Sequence, residues 1–370
     1  MTQVIEREVP AAVGKPKRGI IDADVHEMVG DPMSLLKYVD EPWRGRIHPD
    51  NWMGISIPYS WPTTGGLARP DAIPGNGFRA GSSYELMRKQ HLDFYDIDYA
   101  ILTGLLYPSE FKTQPEFAAG IARAYNDWVI NEWLTKDERF IGSVCVAIQN
   151  PEVAVEEIER VGSHPQIKQI MLPVISHDTF GRPYYHDVYE AAVRHDLVVA
   201  FHQGAYIETA VGLPPYYLEW HTAIAQAWQC QLISLVCQGV FEKFPTLRVA
   251  MVESSWTWLP HLMWRFDHNY RSLRRECPWV KRLPSEYIRD NVKFTTQPME
   301  FVDNPQHLLQ MFEMVGNDEF LMFSSDYPHW DFDSPERSLP STFSEDLKRK
   351  VLYDNAAKFY KLPVREKVAA

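Results

Sequence analysis

The chain has 370 residues, 45% of them apolar, and a formal net charge of -12 at pH 7. That is enough apolar sequence for a large core, and single α/β barrels commonly exceed the ~150 residues of an average domain. The acidic balance argues against nucleic acid or an anionic membrane as partner, since both require a basic patch, and no apolar run reaches the ~18 residues of a membrane helix.

Residues 1–18 contain no continuous apolar stretch of the signal-peptide kind and read as a flexible tail, with the cytoplasm as the expected compartment. From residue 19 to 370 the chain reads as one domain. Short apolar or β-branched runs alternate with helical patterns, the signature of a parallel α/β fold. Strands are predicted over Gly19–Ala23, Tyr99–Thr103, Ile141–Ala147, Gln169–Pro173, Val198–His202, Arg248–Val252, Val292–Thr295 and Phe320–Ser324. Helices are predicted over Ser83–Tyr95, Gln114–Leu134, Pro151–Val161, Tyr185–Arg194, Ala223–Gln238, Trp258–Arg271 and Asn304–Val315, with Ser344–Phe359 closing the outer ring. Eight strands so interleaved predict a (β/α)8 TIM barrel.

One connection is far too long for that pattern. Roughly 75 residues separate the first two strands, where βα loops usually take about 2–6. This insertion, about residues 28–90, is rich in Pro, Gly and Trp and is expected to form a lid over the barrel mouth. The four cysteines, Cys145, Cys230, Cys237 and Cys277, form no CxxC pair and read as buried thiols.

In such a barrel the chemistry stands at the carboxyl ends of the strands. The first strand ends in Asp22-Ala23-Asp24-Val25-His26-Glu27, and alternation places Asp24 and His26 on one side with Asp22 in phase behind them. The fifth ends at His202, the sixth runs into Glu253, and the eighth runs into Ser325-Asp326-Tyr327-Pro328-His329. Four strand ends thus offer imidazole or carboxylate where apolar sequence stops. Those groups suit a divalent zinc, manganese or ferrous ion with a position left open for substrate.

Asp24-Val25-His26, His202 and Ser325-Asp326-Tyr327-Pro328-His329 resemble the amidohydrolase superfamily, and within it the amidohydrolase-2 group that includes aminocarboxymuconate-semialdehyde decarboxylase. The likeness runs from about Arg18 onward and takes in Asn126, Arg139-Phe140-Ile141-Gly142 and Asn355-Ala356-Ala357-Lys358-Phe359-Tyr360. It implies a single divalent metal held by Asp24, His26, His202 and Asp326. Two departures stand out: Asp24 replaces the first His of the usual His-x-His, and Glu253 replaces the usual sixth-strand His. Both exchange imidazole for carboxylate, which hardens the site toward manganese or iron against zinc. A binuclear site on a carbamylated lysine is not expected, because the fourth strand offers no Lys at its end.

The reading favours hydrolysis of a small cyclic or aromatic carboxylic acid by metal-activated water, with Asp326 as general acid and base. The alternative is a non-oxidative decarboxylase of an aromatic acid at the same metal. A non-catalytic barrel that only binds is the remaining class. His329 and Glu253 are candidate proton carriers. Substrate contacts are expected from Trp61 in the insertion, Tyr107 after the second strand, Tyr206 after the fifth, Trp256 after the sixth, and His329. Arg69, Arg79 and Lys112 are candidate carboxylate partners. The resemblance implies a homodimer.

Overall fold

The computed structural model describes residues 19–46, 68–75, 77–104, 114–176, 178–204 and 212–365. Eight strands lie in one sheet in chain order: β1 Ile20–Val25, β2 Ile97–Leu102, β3 Phe140–Cys145, β4 Ile167–Pro173, β5 Val198–His202, β6 Val249–Met251, β7 Val292–Thr295 and β8 Leu321–Met322. Every neighbouring pair is parallel. The cylinder closes through backbone bonds between its first and last strands, where Ala23 N donates to Phe323 O at 2.9 Å and His26 N to Tyr327 O at 2.8 Å. This is the (β/α)8 barrel.

The helices are α1 Tyr84–Met87, α2 Pro115–Val129, α3 Pro151–Val161, α4 His186–Arg194, α5 Tyr217–Ala223, α6 Ala225–Cys237, α7 Val240–Lys243, α8 Leu259–Leu273, α9 Pro284–Asn291, α10 Pro305–Val315, α11 Glu345–Arg349 and α12 Asn355–Tyr360. Proline opens α2, α3, α9 and α10 in the first turn, where its missing N–H costs nothing. The sequence pattern missed α9. Its start is fixed by Glu286, whose carboxylate accepts from Leu283 N at 2.8 Å.

Alternation along the strands makes two cores. Ile20, Ala100, Leu102, Ile170 and Leu172 face the helices, while Ile21, Tyr99, Ile101, Met171 and Ala200 fill the cylinder. Burying an aliphatic side chain of this size is worth roughly 1.5–3 kcal/mol. The predicted closing helix is broken into α11, a wide turn at Lys350–Asp354 and α12. The last piece leaves the outer ring, because Ala356, Phe359 and Tyr360 pack with the inner core and plug the amino end of the barrel.

The alternation fails at one place that matters. The β1 register slips between Asp22 and Val25. Asp24 and His26 keep one side, as expected, but Asp22 is not in phase with them. It turns to His91, in the Arg88–Leu92 turn that continues α1, and the two ring and carboxylate atoms lie 2.7 Å apart.

The insertion returns over the eighth strand's loop. Ala68 bridges His329, and Arg69 N donates to Pro328 O at 2.8 Å. Gly81 then passes so close that a Cβ there would stand 2.5 Å from His26 O, at a φ of +81°. Only glycine fits. All four cysteines are free, but of the expected buried thiols only Cys145 is buried; Cys237 and Cys277 are half-buried and Cys230 is exposed. Among the described residues no helix is long and apolar enough to cross a membrane.

Candidate metal centre

Two strand ends and the loop after β8 deliver the four expected ligands. Asp24 comes from β1, His26 follows it, His202 ends β5, and Asp326 sits four residues beyond β8. All four are buried, and one donor atom from each lies within 4.8 Å of the others. His26 Nε2 stands 2.9 Å from Asp326 Oδ1 and 3.5 Å from Asp24 Oδ1. His202 Nε2 stands 3.3 Å from both Asp24 Oδ2 and Glu253 Oε2.

Those distances do not amount to satisfied hydrogen bonds. Asp24 Oδ2, His26 Nε2, His202 Nε2, Asp326 Oδ2 and Glu253 Oε2 are all buried without a hydrogen-bond partner. A native interior rarely leaves one such group unpaired, and four from one cluster, with Glu253 beside it, need an explanation. A cation at their focus would satisfy them together. Two imidazoles and two carboxylates are an adequate donor set for one divalent ion, harder than an all-imidazole set.

The surroundings aim these donors. Thr103 Oγ1, at the end of β2, donates to Asp24 Oδ1. The His202 Nδ1 bonds to Gln203 O, which turns Nε2 toward the focus. Asp326 holds a left-handed φ of +58° and Glu253 one of +56°, unusual for residues with a Cβ. Such backbone conformations persist where the surrounding structure enforces them. Asp22 locks the frame from behind: Asp22 Oδ1 accepts from Asp24 N at 3.2 Å and from Ser325 N at 2.9 Å, joining the β1 and β8 ends.

Electrostatics tell the same story. Burial opposes charge on His202, yet Asp24 and Glu253 push its pKa up to about 9. His329 behaves likewise: burial lowers it, Asp326 more than offsets this, and the group reaches about 9. Burial pushes the Glu253 carboxyl well above the usual range, against the pull of His202. His26 moves the other way, driven well below its ordinary value by burial and by His329. Protons held on Glu253, His202 and His329 fit a site that exchanges protons for a cation.

His329 stands at the mouth, with Nδ1 2.6 Å from Asp326 Oδ1 and its ring 4.3 Å from that of His26. Beside the centre opens a cavity of about 270 Å³, lined by Glu253, Trp220, His221, Trp258, Met299 and Glu300 among others. That is near the lower bound of roughly 300 Å³ for small-molecule sites.

Trp258 therefore reaches the cavity, whereas Trp256, expected there, does not. Trp256 is fully buried, with its ring edge-on to Phe312 and Phe320. The left-handed residues around Ser254 reverse the alternation that would have brought it inward. Trp61, Tyr107, Tyr206 and Lys112 lie outside the described residues. Arg69 is engaged by Asp71 at 2.8 Å and lies over the Phe332 ring, and Arg79 is exposed. Sequence reasoning missed Thr103, Ser255 and Glu300, uncharged or loop positions that only the fold brings in. It also passed over Glu27, a buried carboxyl that accepts from Tyr125 OH at 2.5 Å and that burial raises to about 7.

A family model described as Amidohydrolase matches residues 21–362. Gamma-resorcylate decarboxylase of Polaromonas sp. (strain JS666 / ATCC BAA-500) is 26% identical over 253 residues, covering 65% of this chain and 76% of that protein. The 2-amino-3-carboxymuconate-6-semialdehyde decarboxylase of Dictyostelium discoideum is 24% identical over 335 residues, 85% of this chain and 89% of its own. A crystal structure of dihydroxybenzoic acid decarboxylase from Polaromonas sp. JS666, with bound manganese and the inhibitor 2-nitroresorcinol, has a TM-score of 0.65 at 19% identity, over 93% of this chain and 97% of that one.

Proposed function

The chain belongs to the amidohydrolase family, and from that premise we propose that it is a metal-dependent, non-oxidative decarboxylase of a small aromatic carboxylic acid. Hydrolysis is the expectation from sequence; the relatives reverse that order, since both curated proteins named above are decarboxylases. Glu253 stands beside His202 and lines the cavity, a position that does not by itself favour hydrolysis.

The observation that carries the reading is the convergence of unpartnered, buried donor atoms on Asp24, His26, His202 and Asp326 beside a cavity of single-ring size. These four residues would hold one divalent ion, with manganese favoured by the carboxylate content and by the ion in the Polaromonas structure. When bound, the ion supplies charge stabilisation and fixes the substrate's oxygen atoms in place.

The chain's own groups then handle the proton. Asp326 and His329 share one at 2.6 Å, at the mouth where the ring carbon bearing the carboxylate would sit. That dyad delivers the proton to the carbon. The carbon–carbon bond then breaks, its electron pair staying on the ring and carbon dioxide leaving. Glu253, held neutral by burial, keeps a further negative charge from facing the substrate carboxylate. Trp220 and Trp258 offer apolar faces to the ring. Ala68, in the insertion between β1 and β2, pairs with His329, which supports the reading of that insertion as a lid.

The test is direct. Manganese-loaded protein is incubated with a panel of phenolic and amino aromatic acids, and carbon dioxide release is followed with product identification. The expected result is stoichiometric carbon dioxide from at least one acid, lost on metal removal. Ester, lactone or amide cleavage without any carbon dioxide would reinstate hydrolysis.

A further inference from the structure

The cavity beside the metal centre is asymmetric in charge. Its apolar lining includes Trp220, Ile224, Trp258 and Met299, and its acidic lining is Glu253 and Glu300. Among the described residues none of its lining is Lys or Arg. The lining His221 has its Nε2 3.4 Å from Asp331 Oδ2.

Glu300 is half satisfied. Ser255 Oγ donates to its Oε1, while Oε2 is buried with no partner. Ser255 makes that bond from a left-handed φ of +54°, two residues after Glu253 at +56°. One irregularity at the end of β6 thus sets two carboxylates: Glu253 with its Oε2 beside His202, and Glu300 with its Oε2 open. Glu253 is itself 7% exposed and unpartnered at Oε2. Glu253 thus borders the four ligands through His202, and Glu300 gives the same cavity a second acidic side chain with one oxygen unpartnered.

A ring acid entering this space has its carboxylate drawn to the cation. What its far side carries is decided by Glu300. A second carboxylate there would meet like charge in a buried, basic-residue-poor wall. A methoxy group offers no proton to Oε2 and leaves it unpaired. A hydroxyl or amino group donates, and a hydrogen bond to a carboxylate is among the stronger kinds. We infer that Glu300 is a specificity-determining residue, and that the substrate is an aromatic monoacid whose ring bears a hydroxyl or amino donor facing Glu300 Oε2. This rests on the reading of the site as one for aromatic acids.

The experiment is calorimetric titration of manganese-loaded protein with benzoic acids that differ at one ring position, meta or para, in carrying hydroxyl, amino, methoxy or carboxylate. At one of these positions the hydroxyl or amino acid should bind roughly tenfold or more tighter than its methoxy and carboxylate counterparts. In Glu300→Gln the margin should shrink to about threefold or less, because the amide both donates and accepts. A wild-type protein that binds the dicarboxylate as tightly as the hydroxy acid, or a variant with the same ranking as wild type, overturns the inference and leaves the aromatic-acid reading standing. If no ring acid binds at all, unsubstituted benzoate included, that reading fails and takes the inference with it.

Discussion

The two ends of the barrel use the same kinds of side chain to opposite effect. At the amino end the polar side chains inside the cylinder are closed on one another: Tyr360 OH donates to Gln169 Oε1 at 2.7 Å, and Gln169 Nε2 donates to Ser143 Oγ at 2.9 Å. Arg248 is tied to Asp196 at 2.7 Å. At the carboxyl end Asp24, His26, His202, Glu253 and Asp326 each leave a buried atom open. The contrast repeats within one strand. Asp22 is closed by His91 and two backbone N–H groups, while Asp24, two residues on, is open. Closure is what stability requires of a buried polar group. Openness costs stability and is retained where a ligand completes the set.

The largest effect should come from the open end. Asp326→Asn keeps the size and one oxygen of the side chain but removes the charge that holds the proton on His329. Turnover should fall by about 10²–10⁴, with the fold intact by circular dichroism and metal content followed by elemental analysis. Wild-type turnover at full metal occupancy would take Asp326 out of the chemistry and blur the distinction between the two ends.

Much of this was legible in the sequence, for a physical reason. Strands β5 and β7 and helix α3 lie where the sequence pattern puts them: β5 is a fully buried apolar run with a sharp end, and α3 opens on Pro151 with one buried face. The candidate ligands were legible because charge at the end of such a run has no packing role. What could not be read were the positions set by backbone irregularity. The slip after Asp22 turned it to His91, and the left-handed Glu253 and Ser255 sent Trp256 into the core and Ser255 to Glu300. Periodicity assumes a regular strand, and the site is built where regularity stops. Glu300 was hidden differently, in a loop after β7 whose strand end, Thr295-Thr296-Gln297, carries no charge.

The closed end should respond in stability alone. Tyr360→Phe removes one hydroxyl and strands Gln169 Oε1, which is fully buried. Leaving such an acceptor unpaired costs about 1–3 kcal/mol. The denaturation midpoint should drop accordingly while turnover per folded molecule stays at the wild-type value. A loss of turnover in the folded variant would mean that the two ends are coupled through the cylinder.

The smallest effect sharpens the comparison, because it concerns a charge at the closed end that is only partly compensated. Burial lowers the Lys293 ammonium to about 8, with Glu319 and Asp318 opposing and Lys358 assisting. Its Nζ donates to Glu319 O and lies over the Phe359 ring. In the unfolded chain the group titrates at its ordinary value of 10.5. Below pH 8 both states carry the proton, and the folded state bears the full cost of the buried charge. Between about 8 and 10.5 the unfolded chain binds more protons, so this contribution to stability rises with pH across that window. Lys293→Met should therefore be the more stable protein at pH 7.5, by something of the order of 1 kcal/mol once solvent screening is allowed for. Its advantage should shrink toward zero by pH 10, as read from paired denaturant midpoints. An advantage independent of pH would mean that the gain comes from methionine packing against Phe359, and that the ammonium at this end is as well closed as its neighbours.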